Sequence, residues 1–105
     1  MTNLLQETLQ ELADNRKSAN DVAFVRFGND EGFYCSWEQF AEATQKFEFN
    51  SVYGGAEVDR NLKIVGDDWW LERGEYDGSE WWEFKTLPTK PGTHRVPVAD
   101  DFKED

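Results

Sequence analysis

The chain has 105 residues, enough for one domain with a modest core, and its 22 acidic against 11 basic residues give a net charge of −11. This balance disfavours direct binding to nucleic acid or to anionic membranes, because affinity for both comes mainly from lysine and arginine neutralising phosphates. A single cysteine, Cys35, and a single histidine, His94, exclude an internal disulfide and leave no Cys/His group for zinc.

The N-terminal segment predicts an amphipathic helix between Thr2 and about Lys17, because leucines recur there at helical spacing. The stripe consists of Leu5, Leu9 and Leu12, with Leu4 beside them. We expect this stripe to face the core and the helix to start at Thr2 or Asn3. The segment has no basic stretch followed by an apolar run, and no part of the chain reaches the roughly 18 apolar residues of a membrane span. The sequence therefore predicts a soluble protein of the cytoplasm.

The next segment changes to the period of a strand. Val22 to Phe27 is β-branched and aromatic, residues 28–32 have turn-forming chemistry, and Phe33 to Cys35 can pair back, which predicts a hairpin. We expect Cys35 to be a half-buried strand residue, since His94 is distant in sequence and no pattern orients the two as a nucleophile and base.

A second helix is predicted from a capping box, in which the Ser36 hydroxyl accepts a backbone N–H bond and the Gln39 side chain reaches back. The helix is expected to end near Phe47. Its predicted buried face consists of Trp37, Phe40, Ala41, Thr44 and Phe47. The loop that follows is expected to pack through Val52 and Tyr53.

Three more strands are predicted over Leu62 to Val65, Trp69 to Glu75, and Glu80 to Thr86. Asp77-Gly78 joins the last two and favours a type I′ turn, which needs positive φ at both central residues. All three prolines follow, so residues 89–105 are expected to form an irregular, partly mobile acidic tail beyond a single α+β domain of residues 1–88. The predicted fold class is α+β, with two helices packed on an antiparallel sheet of four or five strands.

The segment DDWWLERGEYDGSEWW, residues 67–82, holds four of the chain's five tryptophans. With Asp77-Gly78 as a two-residue loop, the alternation of side chains along a strand predicts two faces. The expected core face carries Trp69, Leu71, Trp82 and Phe84, with Arg73 over the Trp82 ring as a cation–π pair. The opposite face carries Trp70, Glu72, Tyr76, Trp81 and Glu83, with Trp81 covering the bare backbone of Gly74.

The same register sets Glu72 opposite Glu83 and Glu75 opposite Glu80, and facing like charges destabilise a sheet by up to about 1 kcal/mol. Either the hairpin has another register, built on a longer loop with a bulge, or the acids serve something other than the sheet. A second alternative concerns Trp70 and Trp81. Either a helix covers them, or their face is offered to a partner, in which case exposed rings and acids suit a basic, arginine-rich protein.

The sequence carries no catalytic signature, so no catalytic, cofactor-binding or metal-binding residue is predicted. Glu72 and Glu83 could form a carboxylate pair of the kind used in glycoside hydrolysis, but nothing in their spacing distinguishes such a pair from two solvated glutamates. The ligand spacing of a calcium loop and the glycine-rich phosphate loop are both missing.

Two segments carry a resemblance: SWEQFAEATQKFEFNSVYGGAEV, and LKIVGDDWWLERGEYDGSEWWEFKTLP with RGEYDGSEWW as its most specific piece. Together they resemble short, acidic, uncharacterised proteins of tailed phages and prophages, over roughly Val22 to Pro88. The resemblance implies no reaction or cofactor. It implies a context, since several anti-CRISPR proteins are similar in size and charge and occupy the nucleic-acid channel of a Cas effector as DNA mimics.

The leading hypothesis is therefore a phage-encoded, non-enzymatic inhibitor in the host cytoplasm that binds a nucleic-acid-handling defence protein through an acidic, aromatic surface. The predicted partner-binding residues are Asp67, Asp68, Trp70, Glu72, Glu75, Tyr76, Asp77, Glu80, Trp81 and Glu83. The alternatives are an acidic immunity or antitoxin protein that neutralises a basic toxin, and a glycan-binding module that uses the tryptophans.

Overall fold

The first helix begins directly after a two-residue strand. A computed structural model describes residues 1–52 and 55–104, and in it β1 spans Thr2–Asn3 and α1 spans Leu4–Asp14. The Asn3 side chain caps the helix by accepting a 2.9 Å bond from the Gln6 N–H, which satisfies one free donor of the first turn.

The buried row of α1 differs from the predicted leucine stripe. Leu4, Thr8 and Leu12, spaced by four residues, are buried, whereas Leu9 is 39% exposed. The expectation that Leu9 faces the core is wrong. Thr8 takes the central place because its hydroxyl donates to the Leu4 carbonyl at 2.7 Å and accepts the indole N–H of Trp82 at 3.1 Å, so a polar side chain is satisfied inside the core.

The first hairpin forms as predicted. Strands β2, Phe24–Phe27, and β3, Phe33–Cys35, pair antiparallel across a turn in which Gly28, Asp30 and Gly32 have positive φ. The Arg26 guanidinium donates to the carbonyls of Gly28, Asp30 and Asn61, and this fastens the turn to the sheet.

Helix α2 spans Trp37–Thr44 and has the predicted capping box, with the Ser36 hydroxyl accepting from the Gln39 N–H at 3.1 Å and the Gln39 side chain accepting from the Ser36 N–H at 3.0 Å. Its buried residues are Trp37, Phe40 and Thr44. Phe47 lies beyond the helix and is 38% exposed, so its predicted place in the buried face is wrong.

The segment after α2 enters the core at points that its sequence pattern does not mark. Strand β4, Glu48–Phe49, pairs antiparallel with β1, and Phe49 and Val58 are buried. Val52, which was expected to pack, is instead 56% exposed, and Tyr53 lies outside the described residues.

The remaining strands complete an antiparallel sheet. They are β5, Lys63–Val65, β6, Trp69–Tyr76, and β7, Ser79–Thr86, and the spatial order is β3-β2-β5-β6-β7. Helix α1 packs near β7 and α2 near β2, and the contacts of Thr8 with Trp82 show that the helices cover one side of the sheet. We call this side the inner face and the opposite side the outer face. The predicted α+β class is confirmed.

Residues 87–104 are exposed throughout, and their one regular element is a 3-10 turn at Ala99–Phe102. The division into a domain of residues 1–88 and an irregular, partly mobile tail stays a prediction. Within the described ranges, no helix is long and apolar enough to cross a membrane.

Candidate protein-binding surface

The tryptophan-rich hairpin has the register that the sequence predicts. Asp77 and Gly78 have φ of 52° and 86°, as a two-residue type I′ turn requires. Tyr76 faces Ser79, and from there the pairing runs without a bulge to Trp69 opposite Thr86. The alternative of a longer loop with a bulge is therefore wrong.

The inner side of this hairpin belongs to the core. Trp69, Leu71 and Trp82 are buried, and the Phe84 ring stacks on Trp69 with centroids 5.9 Å apart. Arg73 lies over the Trp82 ring at 4.7 Å, which confirms the predicted cation–π pair.

The outer side of the hairpin carries Trp70, Glu72, Tyr76, Trp81 and Glu83, which we call the Trp–Glu surface. Both α-helices of the described chain lie on the inner face, so neither covers it. Tyr76 is 75% exposed, Trp81 is 38% exposed and Trp70 is half-buried. The alternative in which a helix makes Trp70 and Trp81 ordinary core residues is therefore wrong.

Each tryptophan of this surface holds a glutamate two residues further along its own strand. The Trp70 indole N–H donates to Glu72 Oε1 at 2.6 Å, and the Trp81 indole N–H donates to Glu83 Oε2 at 3.1 Å. Residues i and i+2 of a strand share a face, which is why the two bonds can form. A Cβ built on Gly74 would lie 2.6 Å from the Trp81 indole nitrogen, so only glycine lets this ring lie flat on the strand.

Glu72 and Glu83 face each other across the two strands, where Cα atoms of hydrogen-bonded partners are about 5.5 Å apart. Two lysines lie beside the pair. Lys63 is the strand partner of Glu72 on the other side, and the ammonium of Lys85 lies 3.7 Å from Glu83 Oε1. The local charge of the Trp–Glu surface is consequently more balanced than the acids alone suggested.

Three of the remaining predicted acids lie at the ends of this surface, and Glu75 lies beside one end. Asp67 and Asp68 form the exposed β5–β6 turn at one end of β6, and Asp77 occupies the exposed hairpin tip at the other, about 25 Å away along an eight-residue strand. Glu75 is exposed beside the tip, although its side chain points to the inner side. The structure thus brings the acids to both ends of the Trp–Glu surface.

Glu80 does not belong to any surface, and its predicted role in partner binding is wrong. Its side chain is 1% exposed and its Oε1 lies 3.1 Å from a guanidinium nitrogen of Arg73. The carboxylate also accepts the N–H groups of Glu57 and Val58 at 2.6 and 3.3 Å. Strand alternation places Glu80 on the inner side, and these bonds compensate the charge there.

Sequence reasoning missed the basic and aromatic side chains that extend the outer face beyond the hairpin. Alternation from the pairs Phe24↔Val65 and Arg26↔Tyr34 places Lys63, Lys85, Phe24 and Tyr34 on this side. The two-residue alternation of the short strands could have assigned these side chains to a face. That assignment also needs the strand order, which local sequence patterns do not give.

The geometry suits recognition of a cationic side chain. Each carboxylate is oriented by an indole N–H, and two aromatic rings lie beside the pair. The second oxygen of Glu72 has no partner in the part of the chain that the structure describes, whereas the second oxygen of Glu83 has the exposed Lys85 ammonium 3.7 Å away, which is longer than a hydrogen bond. A guanidinium can pair with carboxylates in a bidentate manner and stack on aromatic faces, which a compact ammonium does less well.

The structure also has a separate cavity of about 440 Å³ between α2 and the inner face, whose mostly apolar wall includes Val25, Phe40, Leu62 and Cys35. Burial raises the pKa of the Cys35 thiol, which keeps it in the unreactive protonated form at neutral pH. No cluster of three or more His, Cys, Asp and Glu side chains that could hold a metal ion occurs in residues 1–52 and 55–104.

Comparison with known proteins gives no relative. No protein-family model, curated protein or solved structure matches the chain.

Proposed function

We propose that the chain is a protein-binding inhibitor whose Trp–Glu surface engages arginine side chains on a nucleic-acid-handling protein. The observation that carries the proposal is the pair of facing carboxylates, Glu72 and Glu83, each oriented by a neighbouring indole on a sheet face that no described helix covers. Proteins that hold nucleic acid present arginine and lysine to phosphates, and the same side chains fit this surface.

The charge of the whole molecule supports the same class of partner. The net charge of −11 steers the chain toward basic surfaces, while the exposed acids at both ends of β6 extend the attraction beyond the two central glutamates. The aromatic rings supply the desolvated contact area that hot spots of protein interfaces use. A Cas effector is the first partner to test, because of the resemblance to phage proteins.

A direct test uses two peptides of equal length and charge, one rich in arginine and one rich in lysine, with tryptophan fluorescence as the readout. We expect the arginine peptide to bind at least about threefold more tightly. The Glu72→Gln/Glu83→Gln variant should lose about tenfold or more in affinity for it.

The matched control is Glu38→Gln/Glu42→Gln, which changes the net charge equally at two exposed positions of α2. It should lower the affinity less than about twofold, because distant exposed charges are largely screened. Equal losses in the two variants would mean that only bulk charge attracts the peptide and would refute the specific surface.

Affinity capture from a host extract then tests the class of partner. We expect a nucleic-acid-binding protein to be retained at low salt, released at high salt, and lost with the Glu72→Gln/Glu83→Gln variant. Capture of a basic toxin instead would favour the immunity alternative, and recovery of no nucleic-acid-binding protein under either condition would contradict the proposal.

A further inference from the structure

Strand β7 forms one edge of the five-stranded sheet, and its hydrogen-bonding pattern can be assigned residue by residue. A two-residue turn closes on a hydrogen-bonded pair, Tyr76 and Ser79, so odd-numbered residues of β7 direct their backbone groups toward β6. Two bonds agree with this assignment. The Leu87 N–H donates inward to the Asp68 carbonyl at 2.9 Å, and the Glu80 N–H donates outward to the Ser51 carbonyl at 3.0 Å.

The outward backbone groups of β7 are therefore those of the even-numbered residues. Glu80 is occupied by Ser51, which leaves Trp82, Phe84 and Thr86 with free N–H and C=O groups as far as the described residues go. Lys85 and Thr86 are exposed, Phe84 is half-buried and Trp82 is buried, so the edge is open from Phe84 to Thr86. An open edge of this kind is a template for another strand.

We propose that the occupant is a second copy of this chain, whose β7 pairs antiparallel with the first across a two-fold axis at Phe84. In this register Phe84 faces Phe84 of the second copy, and Trp82 faces Thr86. The register contains three pairs, because Thr86 of the first copy also faces Trp82 of the second. Every residue in these pairs directs its backbone groups outward, as a hydrogen-bonded ladder requires. The two sheets become one sheet of ten strands.

The charges select this register over its neighbours. On the outer face, an axis at Phe84 places Glu83 of each copy opposite Lys85 of the other. An axis at residue 83 or 85 also pairs even-numbered residues with even-numbered residues, so the backbone hydrogen bonds could form. An axis at 83 places Glu83 opposite Glu83, and an axis at 85 places Lys85 opposite Lys85, so like-charge repulsion disfavours both.

The proposed ladder ends at the position where Glu80 of one copy would face Pro88 of the other. Continuing the register past Trp82 brings Glu80 opposite Pro88 of the second copy. The Glu80 N–H already donates to the Ser51 carbonyl and Pro88 has no N–H, so neither hydrogen bond of this pair can form and the ladder stops there. This pairing is inferred from the edge of the sheet and does not depend on the proposed function. It would place the Trp–Glu surfaces of the two copies on the same face of the joined sheet.

Sedimentation velocity or light scattering between about 5 µM and 1 mM tests the pairing, since a short edge interface predicts a weak, concentration-dependent dimer. We expect Lys85→Glu, which creates two like-charge pairs across the axis, to weaken association at least about tenfold. The exchange Glu83→Lys/Lys85→Glu should restore it to within about threefold of the wild type. Lys90→Glu is the control for net charge, because it makes the same change at an exposed tail position.

A second measurement follows the backbone itself. Hydrogen exchange of the amides of Trp82, Phe84 and Thr86 should slow as the protein concentration rises, while the amides of Trp81 and Glu83, already bonded to β6, should not change. Thr86→Pro removes an outward N–H without touching the β6–β7 ladder and should weaken association. A chain that stays monomeric at 1 mM, or that associates equally in Lys85→Glu and Lys90→Glu, would overturn the proposal.

Discussion

Neighbouring glutamates of one strand have opposite environments in this molecule. Glu83 lies on the outer face and is held by an indole, whereas Glu80 is buried and shares Arg73 with Glu7, whose Oε1 is 2.7 Å from the guanidinium. The Arg73 side chain is itself 3% exposed, and its guanidinium lies between the rings of Trp82 and Phe49, at 4.7 and 5.5 Å. A buried arginine of this kind depends on both carboxylates.

Removing Glu80 should therefore unfold the protein at much lower denaturant concentration. Glu80→Ala leaves a buried guanidinium with one carboxylate and two backbone N–H groups without an acceptor, so we expect the free energy of unfolding to fall by about 3–5 kcal/mol. Glu75→Ala, its exposed strand partner, should change stability by less than about 0.5 kcal/mol. Urea unfolding followed by circular dichroism measures both, and similar losses would show that Arg73 does not need Glu80.

Gly66 and Gly74 each lie under a tryptophan ring, and we expect alanine substitutions at the two positions to differ in their cost to stability. A Cβ on Gly66 would collide with the buried Trp69 ring, which cannot move, so Gly66→Ala should cost about 1–3 kcal/mol of stability. A Cβ on Gly74 meets the more exposed Trp81, which can swing outward.

Gly74→Ala should thus cost less than about 1 kcal/mol but break the Trp81–Glu83 bond and weaken binding of the arginine peptide. Thermal unfolding and the peptide titration are measured on the same two variants. A Gly74→Ala protein that binds normally would argue against an ordered Trp81.

At the scale of elements, helix α1 ends in an unfavourable charge arrangement. Its last turn contains no basic residue, and Glu11 has Glu7 and Asp14 as helical neighbours. Partial burial, then the charges of Asp14 and Glu7, raise the pKa of Glu11 above the ordinary value of a glutamate. The folded chain therefore binds this proton more tightly than the unfolded chain, and stability falls as the pH rises through the raised pKa.

Glu11→Gln should raise the melting temperature at neutral pH, because it removes a charge that the folded state disfavours. The advantage should shrink on acidification and vanish once Glu11 is protonated in both the folded and the unfolded chain. Glu38→Gln should instead lower the melting temperature at neutral pH, because Glu38 lies in the first turn of α2, where a negative charge is favourable. A gain that persists unchanged at low pH would disprove the electrostatic origin.

The elements that sequence reasoning predicted well are those specified by near neighbours. The Asp77-Gly78 turn sets the hairpin register, and the Ser36/Gln39 box sets the start of α2, so both appear as predicted. Phe49 was missed because its burial depends on β1 pairing with β4, more than forty residues apart in the chain. Strand alternation in the predicted register already placed Glu80 on the inner side, but local patterns did not show that its charge could be compensated there, because Glu57 and Val58 come from a loop without periodicity.

At the scale of the molecule, the acidic excess belongs to the folded body. Residues 89–105 contain four acids and three bases, so removing them changes the net charge of −11 by only one unit. The side chains of 87–104 are exposed, and exposed segments contribute little to folding stability.

A chain shortened to residues 1–88 should therefore keep its free energy of unfolding within about 0.5 kcal/mol and retain arginine-peptide binding. Denaturant unfolding and the peptide titration check this. A chain shortened to residues 1–83 is the control, since it removes Phe84, which stacks on Trp69, and should be destabilised. A large loss on removal of 89–105 would place the tail within the domain.

The adjacency of buried and exposed tryptophans in β6 and β7 has a kinetic consequence. Trp70 follows Trp69 and Trp81 precedes Trp82, so the backbone under each ring offered to a partner is held by a ring locked in the core, and each offered indole is bonded to a glutamate. Such a surface has little conformational entropy left to lose on binding. Association should then proceed as a rigid encounter, and substitutions of the Trp–Glu surface should alter the lifetime of the complex far more than the rate at which it forms.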